Sequence, residues 1–307
     1  MIIDAHYHLE PALETPQRLL SEMDRLDIRR TVLIANLCEP FRMGPVAHAA
    51  STLMRRSLRS RRPAAGRFLY RTTVTSKGRF SILGKTYAIF PRPDNEAVAA
   101  LLAAHPDRFW GWYFVNPAAD PPVPVDPAAL DLGPEWVGLK AHPFWHRCPV
   151  RLLDEVARFC AETGRPLLVH LGADPSEGGT GDFRYLPRRH PHLRLIYAHA
   201  AVPHYQAVWD FMRGPRGRNV FVDLSSPYLD EALRRATVAA LSPARCLYGS
   251  DGPYGYPDAE GRYDRSAILG EIQRLDLGAA DRDRILGGNL LSLLDRDGGD
   301  AARAAQL

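Results

Sequence analysis

Acidic residues are missing from one stretch of this chain: residues 40–93 contain no aspartate or glutamate, although the 307-residue sequence has 35 of them. The same stretch holds 12 of the 39 lysines and arginines, so the other 253 residues carry 27 basic and 35 acidic groups. The formal charge of +4 therefore hides a mildly acidic body interrupted by a basic block. Cysteine is scarce as well. Cys38, Cys148, Cys160 and Cys246 lie far apart with no CxxC pair, which argues against a disulfide-stapled scaffold and a cysteine-built zinc site. No run approaches the roughly 18 apolar residues of a membrane helix, and Met1 leads directly into a polar motif without a signal-peptide pattern. These gaps predict a soluble, cytoplasmic globular protein. A body of about 250 residues is typical of one α/β barrel, so a single domain over 1–307 suffices, with 38–93 inserted in it.

Outside the block, apolar β-branched runs alternate with helical patterns. Strands are predicted at 1–6, 30–37, 109–117, 136–143, 165–172, 193–200, 219–226 and 245–252. Helices are predicted at 15–28, with Thr15 as N-cap and Pro16 in the first turn, and at 95–108, 150–164, 205–213, 229–242, 265–276 and 280–295. Eight strands alternating with helices favour a closed (β/α)8 TIM barrel over an open doubly wound sheet. The open sheet usually carries a Gly-rich phosphate loop after its first strand, where this chain reads HYHLE. No organic cofactor is expected.

The chemistry is concentrated at strand ends. Side chains alternate with period two along a strand, so His6 and His8 share a face at the end of the first. His170, His199 and Asp251 end three further strands, each after four or five mostly apolar residues, where an unpartnered polar group is costly. In a parallel barrel these ends meet at one mouth. Paired imidazoles with a carboxylate suit a divalent metal; the bland alternative, five separately satisfied core side chains, needs five coincidences in one place.

These strand ends resemble the amidohydrolase superfamily, specifically its amidohydrolase-2 branch, which includes metal-dependent hydrolases and aromatic-acid decarboxylases. The resemblance is carried by DAHYH at 4–8, HPDRFWGWYFVNP at 105–117, GLKAHP at 138–143, VHLG at 169–172, AHA at 198–200, GSDGP at 249–253 and ILGGNLLSLL at 285–294. It implies His6, His8 and His170 as metal ligands, Asp251 as a ligand that also handles the proton of metal-bound water, and His199 as the group polarising the substrate. The metal it implies is first of all one Zn²⁺, with Mn²⁺ or a second metal as alternatives. In related barrels a lysine at the position of Lys140 can be carboxylated and bridge two metals, whereas in this branch it is often retained without being a ligand. Where the branch often has a glycine shortly after the strand-six histidine, this chain reads His199-Ala200-Ala201-Val202. Asp4 is a candidate hydrogen-bond partner for a ligand imidazole, or else a capped strand end. His142, Phe144, Trp145, His146, Tyr254 and Tyr256 are candidate substrate contacts, with ordinary loop packing as the competing reading of each.

The basic block follows the second strand, so it projects from the mouth that carries the metal site. RRSLRSRRP (55–63) reads as a cationic helix or turn. FLYRTTVT (68–75), Ser76-Lys77-Gly78 and RFSILGKTYAIF (79–90) read as a β-hairpin or small lid. A lid over the substrate is favoured, then an oligomer contact such as a homodimer; a nucleic-acid patch is least favoured, since the metal site needs none. The leading functional expectation is a metal-dependent hydrolase of a C–N or C–O bond in a small, anionic substrate (an amide, lactone or cyclic imide). The alternative is a non-oxidative decarboxylase of an aromatic or unsaturated acid, with lid arginines holding a second acid group. A non-catalytic barrel binding an anionic partner is the minor alternative.

Overall fold

Eight short parallel strands, most of them apolar runs, are packed side by side in the computed structural model. The described residues are 1–295 except 43, 61–62, 226–228 and 259. The barrel strands are β1 (Ile2–His8), β2 (Ile28–Ile34), β5 (Phe109–Val115), β6 (Trp136–Ala141), β7 (Leu167–Val169), β8 (Leu195–Tyr197), β9 (Val220–Asp223) and β10 (Cys246–Leu247), hydrogen-bonded in that order. The cylinder closes between its first and last strands: Ala5 N–H donates to the Tyr248 carbonyl at 3.1 Å, and Asp251 N–H and His8 N–H donate to the His6 and Gly252 carbonyls, each at 2.7 Å. This is the TIM barrel that the sequence predicts.

Helices α1 (Pro16–Arg25), α4 (Asn95–Ala104), α5 (Asp154–Thr163), α6 (Tyr185–Arg189), α7 (Tyr205–Arg213), α8 (Glu231–Leu241), α9 (Ser266–Gln273), α10 (Ala279–Asp283) and α11 (Asn289–Leu294) cover the outside. Their starts follow the sequence. The Thr15 hydroxyl accepts from Arg18 N–H with Pro16 at the first turn, and Asp94 and Asp230 cap α4 and α8 in the same way. One crossover breaks the alternation. Between β5 and β6 the chain makes only a 3-10 turn at Pro127–Ala129, because prolines at 117, 121, 122, 124 and 127 remove the donors a helix needs.

Residues between β2 and α4 differ from expectation in one element. The cationic run lies in α2 (Pro45–Arg59), with Arg61 and Arg62 outside the described residues, but FLYRTTVT falls mostly in a second helix, α3 (Ala64–Thr72). Alternation over so few residues fits either period, and the face set by Gly66 and Tyr70, four apart and both buried, decides for the helix. The hairpin exists beyond it, as β3 (Arg79–Ile82) paired antiparallel with β4 (Lys85–Ala88).

Candidate metal centre and its cavity

His6 and His8 leave β1 on one face, as period two requires, and their rings lie 5.3 Å apart. His170, His199 and Asp251 follow β7, β8 and β10 at the same barrel end. The His6 ring stacks on His199 at 5.1 Å, and His199 meets His170 edge-on at 4.6 Å. Asp251 Oδ1 sits 3.4 Å from His6 Nε2 and 3.6 Å from His8 Nε2. One ligand atom each from His6, His199 and Asp251 falls within 4.8 Å of the others. His6, His8, His170, His199 and Asp251 are thus brought together, up to 245 positions apart in the chain.

The partners of three of these rings fix where the proton sits. His6 Nδ1 lies 2.8 Å from Asp223 Oδ2, and His8 Nδ1 lies 3.4 Å from the Ala35 carbonyl; both partners only accept, so each ring carries its proton on Nδ1. The hydroxyl of Ser225 gives its one hydrogen to Asp223 Oδ1, so it accepts from His199 Nδ1–H at 2.8 Å. The Tyr70 hydroxyl lies 2.7 Å from His170 Nε2 and 3.1 Å from the Leu171 carbonyl, tying α3 to the ring of His170. The four imidazoles ring one region, and His6 and His8 turn unprotonated Nε2 atoms toward Asp251. Burial holds all four in the neutral form: it lowers His8 to about 3, and His6, His170 and His199 well below the usual histidine value.

Acceptor nitrogens and a carboxylate oxygen at 3.4 and 3.6 Å with no proton between them repel one another unless a cation lies among them. His6 Nε2 is buried with no hydrogen-bond partner among the described residues. Both observations fit a divalent metal held by nitrogen and oxygen donors. Lys140, fully buried at the end of β6, shares the field of this cluster; burial lowers its pKa to about 8, and its Nζ finds no hydrogen-bond partner among the described residues.

Several residues stand differently from expectation. Asp4 holds no imidazole: its carboxylate accepts from Ser250 N–H (2.9 Å), Ser250 Oγ (2.6 Å) and His6 N–H (3.2 Å), and pairs with buried Arg265 at 3.0 Å, clamping the barrel seam. His199 gives its ring proton to Ser225, so it offers the cavity an acceptor and not a donor. The donor is His142, whose Nδ1 accepts from Trp145 N–H at 3.0 Å, leaving the proton on Nε2. Trp145 and Tyr254 line the cavity with His142, but Phe144, His146 and Tyr256 do not. Phe144 stacks on Tyr70 at 4.2 Å, His146 Nε2–H donates to the Phe90 carbonyl at 3.1 Å, and Tyr256 O–H donates to the Leu229 carbonyl at 2.8 Å.

Sequence reasoning missed Asp223, Ser225 and Tyr70. Asp223 had a readable signal, since it ends an apolar run as Asp251 and His170 do. Ser225 and Tyr70 had none that period or composition could supply.

Above the cluster lies a cavity of about 410 Å³. Its floor is His8, His142, His170, His199 and Asp251; its roof comes from α2, α3, Phe41 and the β3–β4 hairpin. Phe41 stacks on Tyr254 at 4.9 Å and Phe80 on Trp145 at 4.5 Å. Among the described residues, no lysine or arginine lines it. The basic side chains point elsewhere: Arg42 donates to the Gly261 carbonyl, Arg59 pairs with Asp230, Arg79 with Glu39, and Arg92 donates to the Pro121 carbonyl. The expectation that arginines of the insertion face the substrate is therefore corrected. Most of the described cations sit on the outer sides of the helices and hairpin, where hydration is cheap; Arg55 is the exception, buried and donating to the Thr52 hydroxyl at 2.6 Å.

The barrel is shared with solved structures of low sequence identity. It is similar to 4-oxalomesaconate hydratase from Rhodopseudomonas palustris, at 16% identity over 100% of this chain and 98% of that chain, with a TM-score of 0.58. It is similar to 2,6-dihydroxybenzoate decarboxylase from Rhizobium, at 15% identity over 97% of this chain and 99% of that chain, with a TM-score of 0.54. A third is dihydroxybenzoic acid decarboxylase from Polaromonas, with bound manganese and an inhibitor, 2-nitroresorcinol, at 14% identity over 95% and 96% of the two chains and a TM-score of 0.56. No curated protein matches the chain in sequence. The family model Amidohydro_2, described as amidohydrolase, matches residues 3–296. Coverage from the first barrel strand to the last helix makes the chain an enzyme of the amidohydrolase family.

Proposed function

We propose that the protein is a divalent-metal-dependent, non-oxidative decarboxylase of an aromatic or unsaturated acid. The observation that carries this reading is the polarity of the cavity, with imidazoles and one carboxylate on the floor and apolar, aromatic walls above. Such a site suits a planar apolar body bearing its polar groups at one end. An amide or lactone hydrolase would need polar room on both sides of the scissile bond. Two of the structural neighbours named above are decarboxylases of hydroxybenzoic acids, which supports the same reading.

His6, His8 and Asp251, with His170 and His199, would hold the metal, which supplies positive charge for the substrate carboxylate and an adjacent oxygen. His142 Nε2–H donates to that oxygen. The C–C bond breaks, its electron pair stays on the ring or vinyl carbon, and that carbon takes a proton as CO₂ leaves. Asp251, on the cavity floor, is the proton carrier. The walls exclude water, which disfavours the charged carboxylate relative to neutral CO₂.

The test is a panel of hydroxybenzoates, unsaturated diacids, lactones and amides, offered to Mn- and Zn-loaded protein while CO₂ release and water incorporation are followed. Release of CO₂ from an acid, reduced at least about 100-fold by Asp251→Asn, is the expected result. Ring opening of a lactone or amide with no CO₂ from any acid would return the protein to the hydrolases.

A further inference from the structure

We infer that residues 38–93 select a hydrophobic monoacid, one whose body carries an alkyl or aryl extension opposite the carboxylate and no second charge. The inference rests on the decarboxylase reading for the identity of the acid end, and deepens it. Its ground is the cavity roof. Most lining residues belong to the insertion, and they are apolar or bear neutral hydroxyls. Not one described cation of this cation-rich segment lines the cavity. A second carboxylate lodged there would lose its water and meet a few neutral hydroxyls but no cation, which is costly.

Size points the same way. A cavity of about 150 Å³ is enough for benzene, and this one is about 410 Å³. A bare ring would leave most of it unfilled, and unfilled apolar space forfeits contacts. The extra volume runs away from the imidazoles, past Met54 and Phe80, toward Leu53, Leu69 and Leu83. Those three leucines are 65%, 42% and 60% exposed. Large apolar side chains left in water at the rim of an apolar cavity are explained by a ligand whose extension passes between α2, α3 and the β3–β4 hairpin.

Calorimetric titration of the Mn-loaded protein with 2-hydroxybenzoates bearing a 4-alkyl chain, methyl to pentyl, tests this directly. The 4-carboxy compound serves as the charged control. Affinity should rise about fourfold per methylene along the series, and the 4-carboxy compound should bind at least tenfold more weakly than the 4-methyl one. Leu53→Lys and Leu83→Lys, at exposed positions that the fold does not need filled, should flatten the slope and narrow the gap to the diacid. Affinity independent of chain length, or tightest for the diacid, overturns the inference. CO₂ release measured on the same compounds separates the two readings. A chain-length slope without CO₂ leaves the ligand class standing and removes the decarboxylase; CO₂ without a slope does the reverse.

Discussion

Asp223 shows what a single residue does for this site. Its carboxylate accepts from four donors: His6 Nδ1–H on Oδ2, and His199 N–H, Ser225 N–H and Ser225 Oγ on Oδ1. Asparagine keeps the shape but has only one acceptor oxygen. With that oxygen on the three-donor side, its amide N–H₂ would face His6 Nδ1–H, donor against donor. The His6 ring would then move its proton to Nε2, the nitrogen beside Asp251. Asp223→Asn is therefore expected to weaken metal binding by about 10- to 100-fold, read by chelator competition, with the far-ultraviolet circular dichroism unchanged. Unaltered metal affinity would show that tautomer control lies elsewhere. The histidines and Asp251 were legible from the sequence because each interrupts an apolar run at a strand end. Which nitrogen faces inward was not, since it depends on partners such as Ala35 and Ser225, brought close only by pairing with neighbouring strands. Ala200 and Ala201, where a glycine was expected nearby, both adopt the left-handed backbone at φ of 53° and 71°. The loop geometry is kept there at a steric cost of about 1–2 kcal/mol per residue.

Among the elements, α2 and α3 carry the most weight outside the barrel, because they roof the cavity and because α3 delivers Tyr70 to His170. The two helices cross closely at Gly66. A Cβ built there would lie 2.6 Å from the backbone nitrogen of Leu58, closer than folded proteins allow, so α3 must move for any larger side chain. Gly66→Ala is expected to cost about 1–3 kcal/mol, mostly local to residues 45–72. It should loosen apolar ligands, and hydrogen exchange should rise across α2 and α3 while the barrel strands keep their protection. Equal loss of protection in β5 and β6 would mean that the insertion and the barrel unfold together. The barrel strands were readable one by one because parallel strands are continuous apolar runs. The helix α3 was not, since Phe68 to Thr75 fits a short strand as well as two helical turns, and only the crossing at Gly66 chooses.

At the scale of the whole molecule, the basic block and the buried histidines pull in separate directions. Most of the block's described cations face solvent and bear on solubility and encounter, while the histidines make stability depend on acid. Among the described residues, seven histidines have a lowered pKa, with burial the leading cause. His8 falls to about 3 and His146 and His204 to about 4. Between those values and about 6.5, the unfolded chain binds protons that the native state refuses. Stability therefore rises with pH through this window and is lost as pH falls below about 6.5. Each such group contributes a slope of about 1.4 kcal/mol per pH unit. Seven together approach 10 kcal/mol per unit as an upper bound, comparable to the entire stability of a typical domain. Asp4, Glu10 and Glu271, raised by burial, act in the opposite sense, but they are three against seven. Metal-free protein should thus hold a constant urea midpoint from pH 8 to 7 and lose most of its stability between pH 6 and 5. Saturating metal adds stability at neutral pH but demands the same neutral imidazoles, so it should raise the plateau and steepen the fall. A midpoint that stays level down to pH 5 in both forms would mean that the native state takes up those protons, and that the imidazoles at the barrel mouth are more open to water than their packing implies.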